Sequence, residues 1–434
     1  MSLQKEKNYG IELLRIVAIV MVFFLHVLGQ GGVYPYSGLA KVLETQPWNY
    51  RLSWLLETAS YGAVDLFALI SGYVGVKSTY KTKRFANLWL LVVFWGVTMV
   101  LLIDKLPVVF SKFNDFLGIF IPDVKLVEFG KVSITSDTYY SALFPLSNKQ
   151  YWYFNAYALT YLLSPILNKA LNTMEKADAK KIVIAIFLFP SILAAINNAD
   201  LFVTGYGYSA IWLICLYVIG GYIRLHNEEK KIPKPICFLG YLLSTLCAWG
   251  YRLLIDRAIA DHPENELLPS YRSQFIQYTS PFILLGAVFL LLLFKQIRIK
   301  HNFPKKLIGC FSSTSFGMYI IHVQPVFWQY FMYLRFWRAG YYDKTPQMLA
   351  HVVLAVILLY FTCFALEKLR QLIFKYSFID KLTDMAGDGI DKLINLMISD
   401  KDHSKKPVTE NAEVSEVKNE EQTTLNNDIE EKKE

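Results

Sequence analysis

Charged and titratable side chains are few in the apolar stretches of this chain, and those that occur are spaced as if to share a site. Arg15 and His26 are eleven positions apart in the run 11–30. On a helix that spacing returns both to within about 20° of each other and separates them by roughly 16 Å along the axis. One face would then carry a fixed cation near one end and an imidazole towards the other. The unperturbed pKa of an imidazole lies near neutrality, so His26 is the residue suited to taking a proton from a hydroxyl and giving it back. Glu12, one turn before Arg15, can neutralise it. His322, in Met318-Tyr319-Ile320-Ile321-His322, adds a second imidazole. Counted from the start of their apolar runs, His26 and His322 lie roughly 22 and 21 Å in, so the two could line one polar cavity. Asp65, in Val64-Asp65-Leu66-Phe67, adds a carboxylate, either as a catalytic group or as a helix-packing partner.

Each of these residues also has a plainer reading. Arg15 could snorkel to lipid headgroups, and a single histidine is often just a satisfied polar residue. In Gln150-Tyr151-Trp152-Tyr153-Phe154-Asn155-Ala156-Tyr157, Trp152 and Tyr153 read as an aromatic belt at the membrane interface. Asn155 and Tyr157 point further in, with donors for a hydroxylated ligand. Lys83 and Arg84 serve as orientation signals and could also bind a phosphorylated ligand.

The elements that must position these groups are membrane-spanning helices. The chain is 54% hydrophobic and 18% charged, whereas a soluble chain carries about a quarter charged residues. The net charge of +8 sits in short clusters between apolar runs, which excludes a continuous nucleic-acid-binding face. The five cysteines lie in or beside apolar segments, with no CxxC pair and no metal-ligand spacing, so they read as buried small hydrophobes. The first eight residues are polar and the run after them lacks a small-residue cleavage site, so it should remain as the first helix.

Apolar stretches occur near 11–30, 53–75, 84–104, 151–171, 181–199, 208–225, 236–255, 274–296, 308–333 and 347–373. Each is about long enough to cross roughly 30 Å of hydrocarbon as a helix, the form that satisfies its own backbone in lipid. Every second loop is basic. Lys5 and Lys7 precede the first stretch, Lys77 to Arg84 follow the second, and similar clusters follow the fourth, sixth, eighth and tenth. The positive-inside rule then puts both termini in the cytoplasm. The expected fold is an all-α polytopic membrane bundle of about ten transmembrane helices. Asp104 to Gln150 would be an extracytoplasmic cap or partly structured loop. In 376–400, Leu382, Met385, Ile390, Leu393, Ile394 and Met397 recur at helical spacing, as in an interfacial amphipathic helix. Residues 401–434 read as a disordered charged tail.

Several of these residues fall in motifs that resemble the membrane-bound acyltransferase 3 family, over about Tyr9 to Ile373. Arg15 with His26 is similar to that family's first-helix arginine–histidine signature. Val64-Asp65-Leu66-Phe67 through Ser71-Gly72-Tyr73 is similar to its second-helix motif, and Tyr151-Trp152-Tyr153, Tyr161-Leu162-Leu163-Ser164-Pro165 and Phe316-Gly317-Met318-Tyr319-Ile320-Ile321-His322 resemble its later landmarks. The resemblance makes 1–375 the acyltransferase domain. It implies transfer of an acyl group, usually acetyl, from cytoplasmic acetyl-CoA to a sugar hydroxyl at or beyond the outer face of the cell membrane. Typical acceptors are polysaccharides or lipid-linked precursors. The extracytoplasmic esterase-like domain of some relatives is not expected here, and the arginine-rich stretch before the third helix is reduced to Lys83 and Arg84.

On that reading the catalytic set is His26, Arg15, Glu12 and Asp65, with His26 as base or as transient acyl carrier. The donor side is Arg15, Ser71, Tyr73, Lys83 and Arg84, and the acceptor side is Tyr151, Asn155, Tyr157 and His322. His322 would orient the acceptor or the oxyanion, or else pack in the core. No metal and no bound cofactor is expected; acyl-CoA is a substrate, and the partners are the glycan and the bilayer, not nucleic acid. A polytopic transporter, a flippase or an accessory subunit of polysaccharide export is the competing class, since buried ionisable residues around a cavity suit these too.

Overall fold

The computed structural model describes residues 7–34, 39–105, 134–147, 151–226, 232–332, 340, 342–377 and 379–399. Among them the chain is helical with no strand. The helices are α1 (Tyr9–Gln30), α2 (Leu39–Thr45), α3 (Pro47–Tyr61), α4 (Ala63–Gly75), α5 (Thr82–Lys105), α6 (Ser136–Leu143), α7 (Trp152–Thr173), α8 (Lys176–Asn197), α9 (Ala210–His226), α10 (Lys234–Asp261), α11 (Pro281–Lys295), α12 (Asn302–Ser312), α13 (Ser315–His322), α14 (Thr345–Tyr376) and α15 (Ile379–Ser399). Five of these, α1, α5, α8, α10 and α14, are long and apolar enough to cross a membrane. Large apolar side chains face outward along them, including Phe238, Leu242 and Leu254 on α10 and Val353, Ile357 and Phe361 on α14. A bundle solvated by lipid has no reason to hide them.

Helix α1 is the axis of the assembly. The Asn8 side chain caps it, accepting from the Gly10 and Ile11 N–H groups and donating to the Lys295 carbonyl at 3.2 Å. From there α1 packs on α3, α4, α11, α12, α13 and α14, so whatever its inner face carries is surrounded by protein.

Two stretches expected as single spans are broken. The stretch 53–75 belongs to α3 and α4, which meet at Gly62. The stretch 308–333 divides into α12 and α13 at Ser313–Thr314, and α13 stops at His322, ahead of Gln324-Pro325. Proline lacks the N–H that would continue the ladder. The stretch 274–296 is helical only from Pro281, which sits in the first turn of α11 as proline prefers.

Small residues set the closest helix contacts. A Cβ added at Gly72 of α4 would lie 2.0 Å from the Tyr217 carbonyl of α9, and one at Gly220 would lie 2.1 Å from the Leu69 carbonyl. Backbones can approach that closely only where no side chain intervenes. At the end of the bundle away from the lysine and arginine clusters, Asp256 is fully buried. It accepts from Arg252 (2.5 Å), Arg272 (2.7 Å) and the Tyr50 hydroxyl (2.5 Å), tying α3 and α10 to the segment before α11.

Of the expected loop at Asp104–Gln150, residues 106–133 and 148–150 lie outside the described residues. The returning part forms α6, packed on α5 with the Tyr139 hydroxyl donating to Asp104 at 2.5 Å. Helix α15 docks its polar side on the start of α5 through Lys83–Asp384 and Thr82–Asp391 contacts, leaving Met385, Ile390, Leu393 and Leu396 exposed. The side chains of Leu382, Ile394 and Met397, and the whole of 401–434, lie outside the described residues.

The α4–α9 contact yields a stability test. Gly72→Leu or Gly220→Leu forces backbones apart and should leave little monodisperse protein after detergent extraction. Gly250→Ala, whose added Cβ meets nothing within 4 Å, should purify as wild type; size-exclusion profiles compare the three.

Candidate active site

His26 and Arg15 do share a face of α1, and both line one internal cavity of about 330 Å³. The second histidine is in direct contact. His26 Nδ1 lies 2.7 Å from His322 Nε2, and His322 Nδ1 lies 2.9 Å from the Met318 carbonyl oxygen. That chain assigns the protons of two neutral rings. A carbonyl can only accept, so His322 Nδ1 carries hydrogen and its Nε2 offers a lone pair. His26 Nδ1 must then donate, which leaves His26 Nε2 unprotonated. His322 is fully buried, with Phe23 edge-on at 4.7 Å, while His26 is half-buried and reaches the cavity beside Trp328. The result is a base held in one tautomer by a buried partner.

Arg15 sits where this cavity meets a second, of about 510 Å³, lined also by Arg84, Asn87 and Arg370. Ser71, Leu88 and Tyr157 border both spaces with Arg15. The two spaces therefore adjoin at Arg15, between the basic end of the bundle and His26. Arg15 is only 30% exposed and pairs with Glu12 at 3.0 Å; Glu12 also accepts from Ser312 at 2.6 Å. Glu12 is thus a holder of Arg15 rather than a wall of the cavity.

The other candidates divide. Ser71 and Tyr157 line both spaces, and Arg84 lines the outer one. Lys83 is turned to Asp384 of α15. Tyr73 is buried under Arg224, whose guanidinium donates to its hydroxyl at 2.9 Å. Asp65 is fully buried and accepts from the Trp212 indole at 3.1 Å, which is the packing alternative. Tyr151 is buried away from both cavities, and Asn155 donates to the Leu146 carbonyl at 3.1 Å. Trp152 and Tyr153, expected in an interfacial belt, instead line the cavity with His26, because the first turn of α7 points into the bundle.

Three further groups escaped the sequence reading. Ser315 and Tyr319, one turn apart on α13, line the His26 cavity, and among the described residues neither buried hydroxyl has a hydrogen-bond partner. The signal was their i, i+4, i+7 spacing with His322. Glu367 is 1% exposed and accepts from Arg370 (2.6 Å), the Trp95 indole (2.9 Å) and Gln371 (3.2 Å). Gly317 of α13 makes room for it, since a Cβ there would fall 2.2 Å from the Glu367 carboxyl. Arg370 looks in sequence like one more orientation signal; in the structure it is a fixed cation at the cavity wall. Among the described residues no cluster of His, Cys, Asp and Glu has the grouping of a metal site.

Residues 8–368 match the acyltransferase 3 family model, described as an acyltransferase domain. The chain belongs to that family, and is a membrane acyltransferase. Comparison with curated proteins and with solved structures found no match.

Glu367→Ala should strand a buried guanidinium and the Trp95 indole, at about 3–5 kcal/mol. A lowered unfolding temperature in detergent, with Glu367→Gln in between, is the expected result.

Proposed function

We propose that the protein is an O-acyltransferase that moves an acyl group, acetyl in the first instance, from cytoplasmic acyl-CoA to a hydroxyl of a cell-surface polysaccharide or its lipid-linked precursor. The observation that carries this reading is the His26–His322 pair at the inner end of two adjoining cavities whose walls carry Arg15, Arg84 and Arg370. A base with a free lone pair suits the hydroxyl, and a cationic approach suits a phosphorylated thioester.

The proposed topology has ten traversals with both termini in the cytoplasm of the producing cell. The five long helices, the broken pairs α3–α4 and α12–α13, and α7, α9 and α11 supply ten segments. The basic clusters at alternate connections favour one end as cytoplasmic. Helix α15, with its exposed apolar side chains, would lie along that inner surface.

In the proposed reaction His26 Nε2 takes the proton of the acceptor hydroxyl as its oxygen attacks the thioester carbonyl. The carbonyl becomes a tetrahedral oxyanion, for which the unpartnered Tyr319 and Ser315 hydroxyls are the available donors. The C–S bond then breaks and the leaving thiolate takes the proton back from His26. His322 Nε2 accepts from His26 Nδ1 throughout, which stabilises the imidazolium while the proton is held. His322 is therefore a positioning residue, more than the acceptor ligand expected from sequence.

Three variants test these roles in membranes supplied with radiolabelled acetyl-CoA and the cell's own surface glycans. His26→Ala should lower transfer by about 10²–10⁴-fold; normal transfer would sink the base assignment. Tyr319→Phe, which removes one oxyanion donor, should cost about 10²-fold in kcat with little change in KM. His322→Ala should also lower kcat, and His322→Gln, which keeps an acceptor, should recover part of it. Wild-type protein that is folded, holds its glycan and incorporates no label would turn attention to sugar transport.

A further inference from the structure

A third cavity, of about 810 Å³, opens on the basic end of the bundle between the start of α1, the end of α4, the end of α9 and the segment leading into α12. Six cations line it: Lys7, Lys77, Arg224, Arg298, Lys300 and Lys305. Among the described residues the one acid in its walls is Glu12, already engaged by Arg15, Ser312 and, at 3.5 Å, Lys7. Arg298, Lys300 and Lys305 have no carboxylate partner among the described residues, and like charges gathered around one concavity favour the entry of an anion.

The mouth beside Arg84 is differently balanced. Arg15 has Glu12, Arg370 has Glu367, and Lys83 has Asp384. Of the three arginines lining the second cavity, Arg84 alone has no ion-pair partner among the described residues. Excess positive charge therefore lies in the basin, not at the pair expected from sequence to meet the donor. The basin is also built. Arg224 is fixed by its hydrogen bond to the buried Tyr73 hydroxyl and by stacking on that ring at 5.0 Å, and the Lys295 ammonium sits 4.6 Å from the same ring. A guanidinium held by packing loses little entropy on meeting a phosphate. Finally, the basin and the second cavity share Val74, on the last turn of α4, and Ser78, just beyond its end.

We propose that this basin is the seat of the donor's phosphates: a phosphorylated nucleotide rests among Arg224, Arg298, Lys300 and Lys305, and its pantetheine arm crosses the α4 end into the path towards His26. This rests on the acyl-CoA reading above and assigns that donor a subsite. Tyr73 then serves the donor indirectly, by holding Arg224.

The same phosphate chemistry could come from an anionic lipid headgroup, and the test separates the two. Binding of coenzyme A to the purified full-length protein is measured by calorimetry in nanodiscs of zwitterionic lipid, with and without phosphatidylglycerol. Arg298→Ala/Lys300→Ala, both at exposed positions, should weaken coenzyme A binding by roughly tenfold or more, and 3′-dephospho-coenzyme A should bind wild type less tightly than coenzyme A. Lys169→Ala/Lys180→Ala, which removes as much charge from the same end but outside the three cavities, should bind as wild type. Equal weakening by both pairs, or none by the first, would overturn the basin while leaving the acyl-CoA reading intact. Displacement of coenzyme A by phosphatidylglycerol would make the basin a lipid site and overturn it likewise. Wild type that binds no coenzyme A at all would overturn both.

Discussion

The hydrogen bond between His26 and His322 is the contact on which the site depends, and it explains features that otherwise look unrelated. A fully buried imidazole must satisfy both nitrogens, because neither water nor lipid will. His322 uses the Met318 carbonyl of its own helix for one and His26 for the other. That requires α1 to run through the middle of the bundle, as its contacts with six other helices allow. It also requires α13 to end where it does: the helix stops at His322, and Gln324 then caps the next turn by accepting from the Phe327 N–H. The ring that faces the cavity is in this way oriented by a fully buried one.

Charge is arranged by a second rule, in which carboxylates decide what each cation is for. Lysines and arginines at one end of a membrane bundle are first an orientation signal. Glu12, Glu367 and Asp384 each take one of them and turn it into fixed structure: Arg15 at the junction of two cavities, Arg370 at a wall, Lys83 as the anchor of α15. Where no further carboxylate is supplied, the field remains, and that is the basin around Arg298 and Lys300. Orientation and ligand attraction thus use the same residue types, and only the position of the acids separates them.

Periodicity was the most informative signal in the sequence. The eleven-residue interval between Arg15 and His26 anticipated one cavity, because helix geometry is rigid enough to convert spacing into direction. The matched depth of His322 brought it to His26 but buried behind it, not onto the cavity wall as expected. The all-helical chain followed from the need to satisfy backbone groups in lipid. Sequence was weaker wherever a residue type has two common uses. Asp65 reads in sequence equally as a catalyst or a packing group, because Trp212, the indole that donates to it, lies far along the chain. Trp152 and Tyr153 have the composition of an interfacial belt, but the first turn of α7 points inward. The breaks at Gly62 and Ser313–Thr314 carry weak local signals, since a single glycine or a serine–threonine pair is tolerated within many helices.

The walls of the His26 cavity differ from end to end in a way that suits two unlike substrates. Towards the basic end Arg15 joins it to the second cavity, whose wall carries Arg84 and Arg370. Towards the other end the wall is aromatic: Trp152 and Tyr278 border the cavity and pack against Tyr208, with ring centroids 4.6–6.0 Å apart. Ring faces with hydroxyl and indole edges can cover the apolar faces of a sugar while meeting its hydroxyls. A site between two such approaches need not open to both sides at once. His26 stands at their meeting point, where in the proposed reaction a proton acceptor would serve an acceptor from one side and a thioester from the other without either crossing the bundle.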